Sequence, residues 1–431
     1  MNRNICALSA ALLTGAVAYA ATDLPAPKIT VVSDKNYGGS YSKLSDNGLW
    51  AVGSGKSQIA ENADSYPRLY DLTNHQVINL FTDAEASRVP TMEANDVTDD
   101  GALVVGSYNG KPAVWTKAAN AWQVVEHNHA YKAGSIDRVT PDGRYAIGTL
   151  YDGNGMLATV RLWDLSGGTA RDITPDNLPK PIGPNLTPTT GTYDSMVQQL
   201  YAGDISDDGV YFSGIVNFSY PDDCWTFVYN MNDRTWTGVA MAVTEDGDNY
   251  TFERNVPGVM SVEPGNFVGS SHTMCGDIYS TSDNSGIYSY DCDSRQFSTV
   301  DESEGYTNGM LDPLGTIYGS KSYEDPMRDW YFKTGGYWFD FAVVAEQLWG
   351  IDWKEQYAPD NLGLTGTFTG VADDGKTVVA VDFSMSPYTT YMIQLPEPLP
   401  EIVKDFNMLG NYYTTPVSYT HLRAHETLSD L

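Results

Sequence analysis

VTDDGALVVG (Val97–Gly106), VTPDGRYAIG (Val139–Gly148) and ISDDGVYFSG (Ile205–Gly214) are three copies of one unit. Each has an apolar residue, a small hydroxyl, an acidic turn closing on Gly, a short apolar strand and a second Gly. LSDNGLWAVG (Leu44–Gly53) and VADDGKTVVA (Val371–Ala380) are two more copies. An Asp-Gly pair tolerates the positive φ that a tight hairpin turn needs. Each copy therefore reads as strand A, a turn, and strand B.

The turn glycines fall at 48, 101, 143, 209, 315 and 375, and the gap from 209 to 315 is about twice the others. A degenerate unit fits inside it, with Val262-Glu-Pro-Gly265 as its turn and 266–269 as its strand B. Seven units then recur with a mean period of about 55 residues, too long for helical solenoids and suited to four-stranded blades. Strand C follows with aromatics and a trailing Asp or Asn, as in Arg68-Leu-Tyr-Asp71, Arg161-Leu-Trp-Asp164 and Tyr337-Trp-Phe-Asp340. Strand D comes after a polar turn, as in Val77-Ile-Asn-Leu80 and Trp122-Gln-Val-Val125. Short β-branched and aromatic runs between Gly, Asn and Asp are antiparallel-sheet signals.

The last unit runs from its strand C (Tyr391 to Leu395) into Pro396-Glu-Pro-Leu-Pro400, with no strand D. The N-terminal side has a surplus strand, Lys28 to Ser33. Placing that strand on the seventh blade closes the ring and hides two sheet edges. The expected fold is all-β: a propeller of seven four-stranded blades, closed by an N-terminal strand. Two segments depart from it. Phe341 to Gly350 has helical spacing and is expected in place of the sixth unit's C–D turn, and the Pro- and Thr-rich stretch 174–199 reads as a surface insertion.

With these units in hand, the chain resembles the repeats of TolB-like propellers and, more closely, the HAF-type extracellular repeats of secreted bacterial proteins. The resemblance spans Lys28 to Leu395. It implies a secreted bacterial propeller and brings no catalytic residues. The expected organisation is a signal peptide over 1–20, the propeller over 21–396, and a Pro-rich linker with the start of a further domain over 397–416. Residues 417–431 resemble the translation of a sequencing-library adaptor, so His421 and His425 are excluded from any site. The signal-peptide reading rests on Arg3, the apolar run from Leu8 to Ala18 and the Ala18-Tyr-Ala20 cleavage pattern. It places the protein in the periplasm, at the cell surface or outside the cell, where disulfides persist.

The 431 residues carry 25 Lys plus Arg against 55 Asp plus Glu, a net charge of −30. Such a surface repels phosphate backbones and anionic membranes, so neither is an expected partner. Chemistry is thinly marked. No G-x-S-x-G elbow is present, and Gly53-Ser-Gly-Lys-Ser57 belongs to a strand B instead of a phosphate loop. His127 and His129 lack a third metal ligand, and the acidic turns 245–249 and 291–293 do not follow the EF-hand pattern, so they read as polar turns. No cofactor, metal or catalytic residue is assigned.

The B–C loops emerge on one face, vary in length and carry aromatics. Candidate ligand-binding residues there are Tyr66, Tyr108, Tyr151, Tyr220, Tyr323, Trp330, Tyr331 and Tyr388. Aromatic faces beside carboxylates suit sugars or peptides. Cys224 and Cys275, placed in neighbouring B–C loops, form a candidate disulfide. The expected function is a non-catalytic binding module for a carbohydrate or protein. A glycan hydrolase or lyase using channel carboxylates, and a structural module of a larger surface protein, are the alternatives.

Overall fold

The computed structural model describes residues 24–404, except 33–38, 57–64, 87–90, 126–130, 154–157, 174–196, 220–221, 247–248, 255, 281–284, 302–305, 322–329, 354–355, 357–365 and 383–388. The chain is an all-β propeller. Among the described residues the strands form four four-stranded sheets, a five-stranded sheet, a nine-stranded sheet and a two-stranded sheet of Met241–Asp246 and Asn249–Arg254. The nine-stranded sheet is two blades joined by one parallel pair, Ala158 opposite Gln199, and each blade runs A, B, C, D outward from the channel. Blade 1 is Gly39–Leu44, Trp50–Lys56, Ser65–Asp71 and Gln76–Asn79. Blade 2 is Met92–Val97, Leu103–Tyr108, Lys111–Thr116 and Ala121–Val124. In blade 3 strand A is split into Ala133–Gly134 and Arg138–Val139, followed by Tyr145–Tyr151, Ala158–Asp164 and Thr169–Ile173. Blade 4 comprises Val197–Ile205, Tyr211–Ser219, Asp222–Asn230 and Thr235–Gly238.

In blade 7 the outermost strand is Lys28–Val31, antiparallel to strand C (Thr389–Gln394), with Lys28 opposite Gln394 and Val31 opposite Tyr391. This is the closure expected from the missing last strand. Strands A and B of that blade are Gly366–Val371 and Thr377–Asp382. A second seam at the ring's inner edge joins the same ends, where Asp373 N donates to Asp46 O at 2.8 Å.

The two glycines of the repeat serve different contacts. The turn glycines adopt positive φ, and all but Gly315 lie against the preceding blade: Gly209 has φ 69°, and a Cβ there would lie 2.4 Å from the Tyr145 ring of blade 3. The second glycine faces a bulge. Strand A shifts register between Tyr41 and Lys43, Ala94 and Asp96, Ala202 and Ile205, Thr307 and Met310, and Phe368 and Gly370. That bulge pushes a carbonyl toward strand B, so a Cβ on Gly106 would meet Glu93 O at 1.9 Å. Bulges bend a strand and re-aim its side chains. The Asp or Asn trailing strand C closes the C–D turn as an Asx motif: Asp71 Oδ1 accepts from Thr73 N and Asn74 N, both at 2.9 Å.

Two units differ from the sequence reading. In blade 5 the A–B turn is 268–273, with Val268 N donating to Thr273 O, and strand B is Thr273–Ser280. Val262 to Gly265 lies in the interruption of strand A, between Val259–Val262 and Asn266–Phe267, where a Cβ on Gly265 would meet Cys275 O at 1.5 Å. That glycine reports the bulge, not the turn. In blade 6 strand C is Trp330–Thr334 and strand D is Tyr337–Asp340. The two-residue turn Gly335-Gly336, with φ 59° and 87°, joins them. This hairpin makes Tyr337–Asp340 strand D, not the strand C expected from sequence, and places Trp330 and Tyr331 on strand C instead of in a loop.

The helix Phe341–Trp349 forms as its spacing predicts, but it follows strand D instead of replacing the C–D turn, which is Gly335-Gly336. Asp340 caps its start by accepting from Val343 N, and Gly350 ends it at φ 65°. It buries Phe341, Val344 and Ala345 in a cluster with Trp330, Phe368 and Tyr391. A short helix, Leu399–Val403, adds Leu399, Ile402 and Val403 to the same cluster, so the segment read as a linker begins by packing on blades 6 and 7.

Candidate functional site

Strand A of each blade lines a central channel, and its two ends are built differently. At the A–B turn end lies a cavity of about 170 Å³. Its wall includes Lys43, Asp46, Asp96, Arg138, Asp204, Asp207 and Asp373. Lys43, Asp96 and Asp204 sit at the strand A bulges, which aim them inward, and Asp46, Asp207 and Asp373 are the acidic residues of the repeated turns.

Several of these carboxylates also tie blades together. Asp96 Oδ2 accepts from Val139 N of blade 3 at 3.0 Å, and Asp204 Oδ2 from Phe267 N of blade 5 at 2.8 Å. Arg138 Nε stands 3.3 Å from Asp204 Oδ1. Two cations do not balance the carboxylates. Burial, and then the neighbouring carboxylates, push Asp46 up to about 8 and Asp207 up to about 7, with Lys43 opposing the shift at Asp46. Asp373 is raised for the same reasons, burial first and Asp99 next. The sequence showed these acids but gave no hint that they face the channel, because the turn alone accounts for an Asp-Gly pair.

At the other end, strands A and B of blades 2 to 5 present tyrosines, carboxylates and amides. The rings of Tyr151 and Tyr201 lie 6.3 Å apart. Tyr201 Oη donates to Gln199 Oε1 at 2.8 Å, and Asn217 Nδ2 donates to the same oxygen at 3.0 Å. In blade 5 Tyr279 Oη donates to Glu263 Oε1 at 2.9 Å. The Tyr151 hydroxyl is raised by burial and then by Asp137, Tyr201 and Glu93, which places these four groups in one electrostatic neighbourhood. Asp137 is itself raised by burial against bonds from Ser135 and from Thr149 Oγ1.

The expected loop aromatics divide. Tyr108 and Tyr151 end strand B of blades 2 and 3 and are half-buried, at the expected face. Tyr220, Tyr323 and Tyr388 lie outside the described residues, as do His127 and His129. Three are corrected. Tyr66 is buried on strand C of blade 1, its ring 4.8 Å from Phe81. Trp330 is 1% exposed, 5.1 Å from the Trp353 ring, and Tyr331 is buried beside it on strand C of blade 6. No ligand reaches them without unpacking the blade. Cys275 is likewise on a strand, fully buried with a free thiol, because the fifth turn lies later than the sequence reading placed it. It does not occupy the B–C loop from which the bridge to Cys224 was expected. The acidic turn 291–293 is used internally: Asp291 Oδ1 accepts from Ser294 N at 2.6 Å, and Asp293 accepts from Tyr211 Oη at 2.9 Å. Among the described residues no group of three or more His, Cys, Asp or Glu is arranged to hold a metal ion. No described helix is long and apolar enough to cross a membrane.

Solved structures match this architecture. An oligogalacturonate lyase in complex with manganese aligns with a TM-score of 0.54 and 12% identity, over 86% of this chain and 97% of that one. The oligogalacturonate lyase of Vibrio parahaemolyticus gives 0.52 and 10%, over 86% and 98%. TolB from Acinetobacter baumannii is a neighbour too, with 12% identity over 86% and 97% and a TM-score of 0.35. At these identities the likeness shows the fold alone. No protein-family model matches the chain, and no curated protein matches it in sequence.

Proposed function

We propose that the chain is an exported, non-catalytic binding module. Its ligand, a neutral or cationic carbohydrate or a protein segment, sits at the B–C loop end of the channel. The observation that carries this reading is the cluster of Tyr151, Tyr201, Gln199 and Asn217, with the hydrogen-bonded pair Tyr279 and Glu263 of blade 5 at the same end. Tyrosine rings supply apolar faces with a polar tip, and fixed amides and carboxylates beside them orient hydroxyl or ammonium groups. Charge narrows the class. An oligogalacturonate is a chain of carboxylates, and a channel in which Lys43 and Arg138 face at least five aspartates disfavours it. On those grounds our reading does not take over the lyase activity named for the structural neighbours. Nucleic acid and anionic membrane are disfavoured by the net charge of −30.

One arrangement favours an enzyme as the second reading: burial and neighbouring carboxylates raise Asp46 to about 8 and Asp207 to about 7, the range that suits a carboxyl acid or base. They stand at the turn end, and the candidate ligand wall stands at the other. A glycan array containing neutral, amino-sugar and acidic oligosaccharides, read for both retention and cleavage, separates the readings. Retention of neutral or amino-sugar glycans without cleavage, lost in Tyr151→Ala/Tyr201→Ala, is expected. Cleavage abolished by Asp207→Asn establishes the enzyme instead.

A further inference from the structure

The A–B turn of blade 5 carries Ser271 where the turns of the other blades carry their glycine, and it holds no Asp. At three other junctions the turn glycine lies against the first residue of the preceding blade's strand B: Gly48 on Thr377, Gly101 on Trp50 and Gly209 on Tyr145. At the junction of blades 4 and 5 that place is taken by His272, whose ring meets Tyr211 of blade 4 edge-on with centroids 4.8 Å apart. Both ring nitrogens end on carboxylates. Nδ1 is 2.8 Å from Asp293 Oδ2, in blade 5's own C–D turn, and Nε2 is 3.0 Å from Asp208 Oδ2, in the A–B turn of blade 4. Tyr211 Oη donates to the other oxygen of Asp293, and Cys292 N donates to His272 O at 3.0 Å. Asp291, also in this field, is occupied by Ser294.

A carboxylate oxygen accepts and does not donate. Both bonds therefore coexist only when both imidazole nitrogens carry hydrogen, which is the protonated ring. We propose that His272 is a pH-operated clasp across the junction of blades 4 and 5. Protonated, it ties the A–B turn of blade 4 to both turns of blade 5. Deprotonated, it turns a nitrogen lone pair toward one carboxylate and releases that tie. The seams of blades 7, 1, 2 and 3 at the same face use backbone donors instead: Asp373 N to Asp46 O, Asn47 N to Asp99 Oδ1, and Asp99 N to Pro141 O. Those N–H groups do not titrate.

The direction follows from the geometry. Burial lowers the His272 value, and the bonds to Asp208 and Asp293 outweigh it, so the ring titrates above 6.5. A raised histidine value means stability that is complete below the unfolded value and lost as pH rises through the folded one. Asp208, held below 3.8 by His272 and by Val210 N against the cost of its burial, stays charged across that window. Both carboxylates are more than half exposed, so solvent screening keeps the effect small.

The test uses the full chain labelled with nitrogen-15 histidine. Long-range nitrogen–proton spectra are followed from pH 4.5 to 9.5, with His272 assigned by its loss in His272→Gln. Two protonated ring nitrogens at pH 6.5 are expected, with the midpoint lowered in Asp208→Asn and again in Asp293→Asn. The unfolding temperature of His272→Gln should fall below that of the parent chain by about 1–3 °C at pH 5.5 and match it at pH 9.5. A neutral ring at pH 6.5 whose midpoint ignores Asp208→Asn overturns the clasp. So does a temperature gap that is equal at the two pH values.

Discussion

The two ends of the channel follow opposite rules. At the turn end the repeat is strict: tight turns, a glycine or its substitute pressed on the preceding blade, and carboxylates from blades 1, 2, 4 and 7 brought together by the ring. At the loop end the connections vary, from two residues between Tyr108 and Lys111 to eight between Lys321 and Trp330 and longer still between Ile173 and Val197. A rigid, repeated end supports a varied one, and binding specificity concentrates on the varied side of such scaffolds. Like charges at the turn end are the by-product of repetition: one turn chemistry copied around a closed ring must converge on the axis.

Trp330→Ala is the strongest way to break this comparison. If Trp330 were a loop-face ligand residue, its loss would leave unfolding unchanged and abolish binding. Buried among Trp353, Phe368 and Tyr391, it should instead cost about 3–5 kcal/mol in a denaturant titration. Gly209→Ala comes next. An alanine there must hold positive φ and place its Cβ 2.4 Å from the Tyr145 ring, so a loss of roughly 1–3 kcal/mol is expected. Unchanged stability would show that the turn glycine is not a seam between blades.

Much of this was legible. The Asp-Gly turns and their spacing gave the blades, the missing strand after Leu395 gave the closure by Lys28–Val31, and the spacing of 341–350 gave the helix. What failed was local register where one signal had two physical causes. Gly265 has the sequence context of a turn glycine but relieves a bulge, and Gly335-Gly336 closes a hairpin where the unit's spacing points to a longer loop. These register differences place Trp330, Tyr331 and Cys275 on buried strands instead of in loops. The inward aim of Lys43, Asp96 and Asp204 was not legible at all, because bulge positions carry no residue signature on strand A.

The carboxylates at the turn end make a pH test of intermediate size. Asp46 and Asp207 have folded values raised from 3.8 to about 8 and about 7, so the folded chain binds more protons than the unfolded one between these limits. Stability therefore falls as pH rises from about 4 to 8. Asp46→Asn and Asp207→Asn should each raise the unfolding temperature at pH 8 by roughly 2–4 °C and leave it unchanged at pH 4. Equal shifts at both pH values would mean that ionising these buried carboxylates does not cost the folded chain stability.

Tyr279→Ala should have the smallest effect on folding and still discriminate between the ends. Its side chain is 40% exposed, and its hydroxyl is held by Glu263 at the loop end. Removing a half-exposed ring far from the blade cores should change stability by no more than about 0.5 kcal/mol. If the loop end is the ligand wall, the same substitution should weaken retention of a bound glycan or peptide about tenfold, the loss of one well-placed aromatic contact of roughly 1.4 kcal/mol. Isothermal titration of the parent chain and the variant with one ligand retained on the array measures it. Unchanged affinity beside a loss in Asp46→Asn would move the site to the turn end. The strict half of the repeat would then be the functional half.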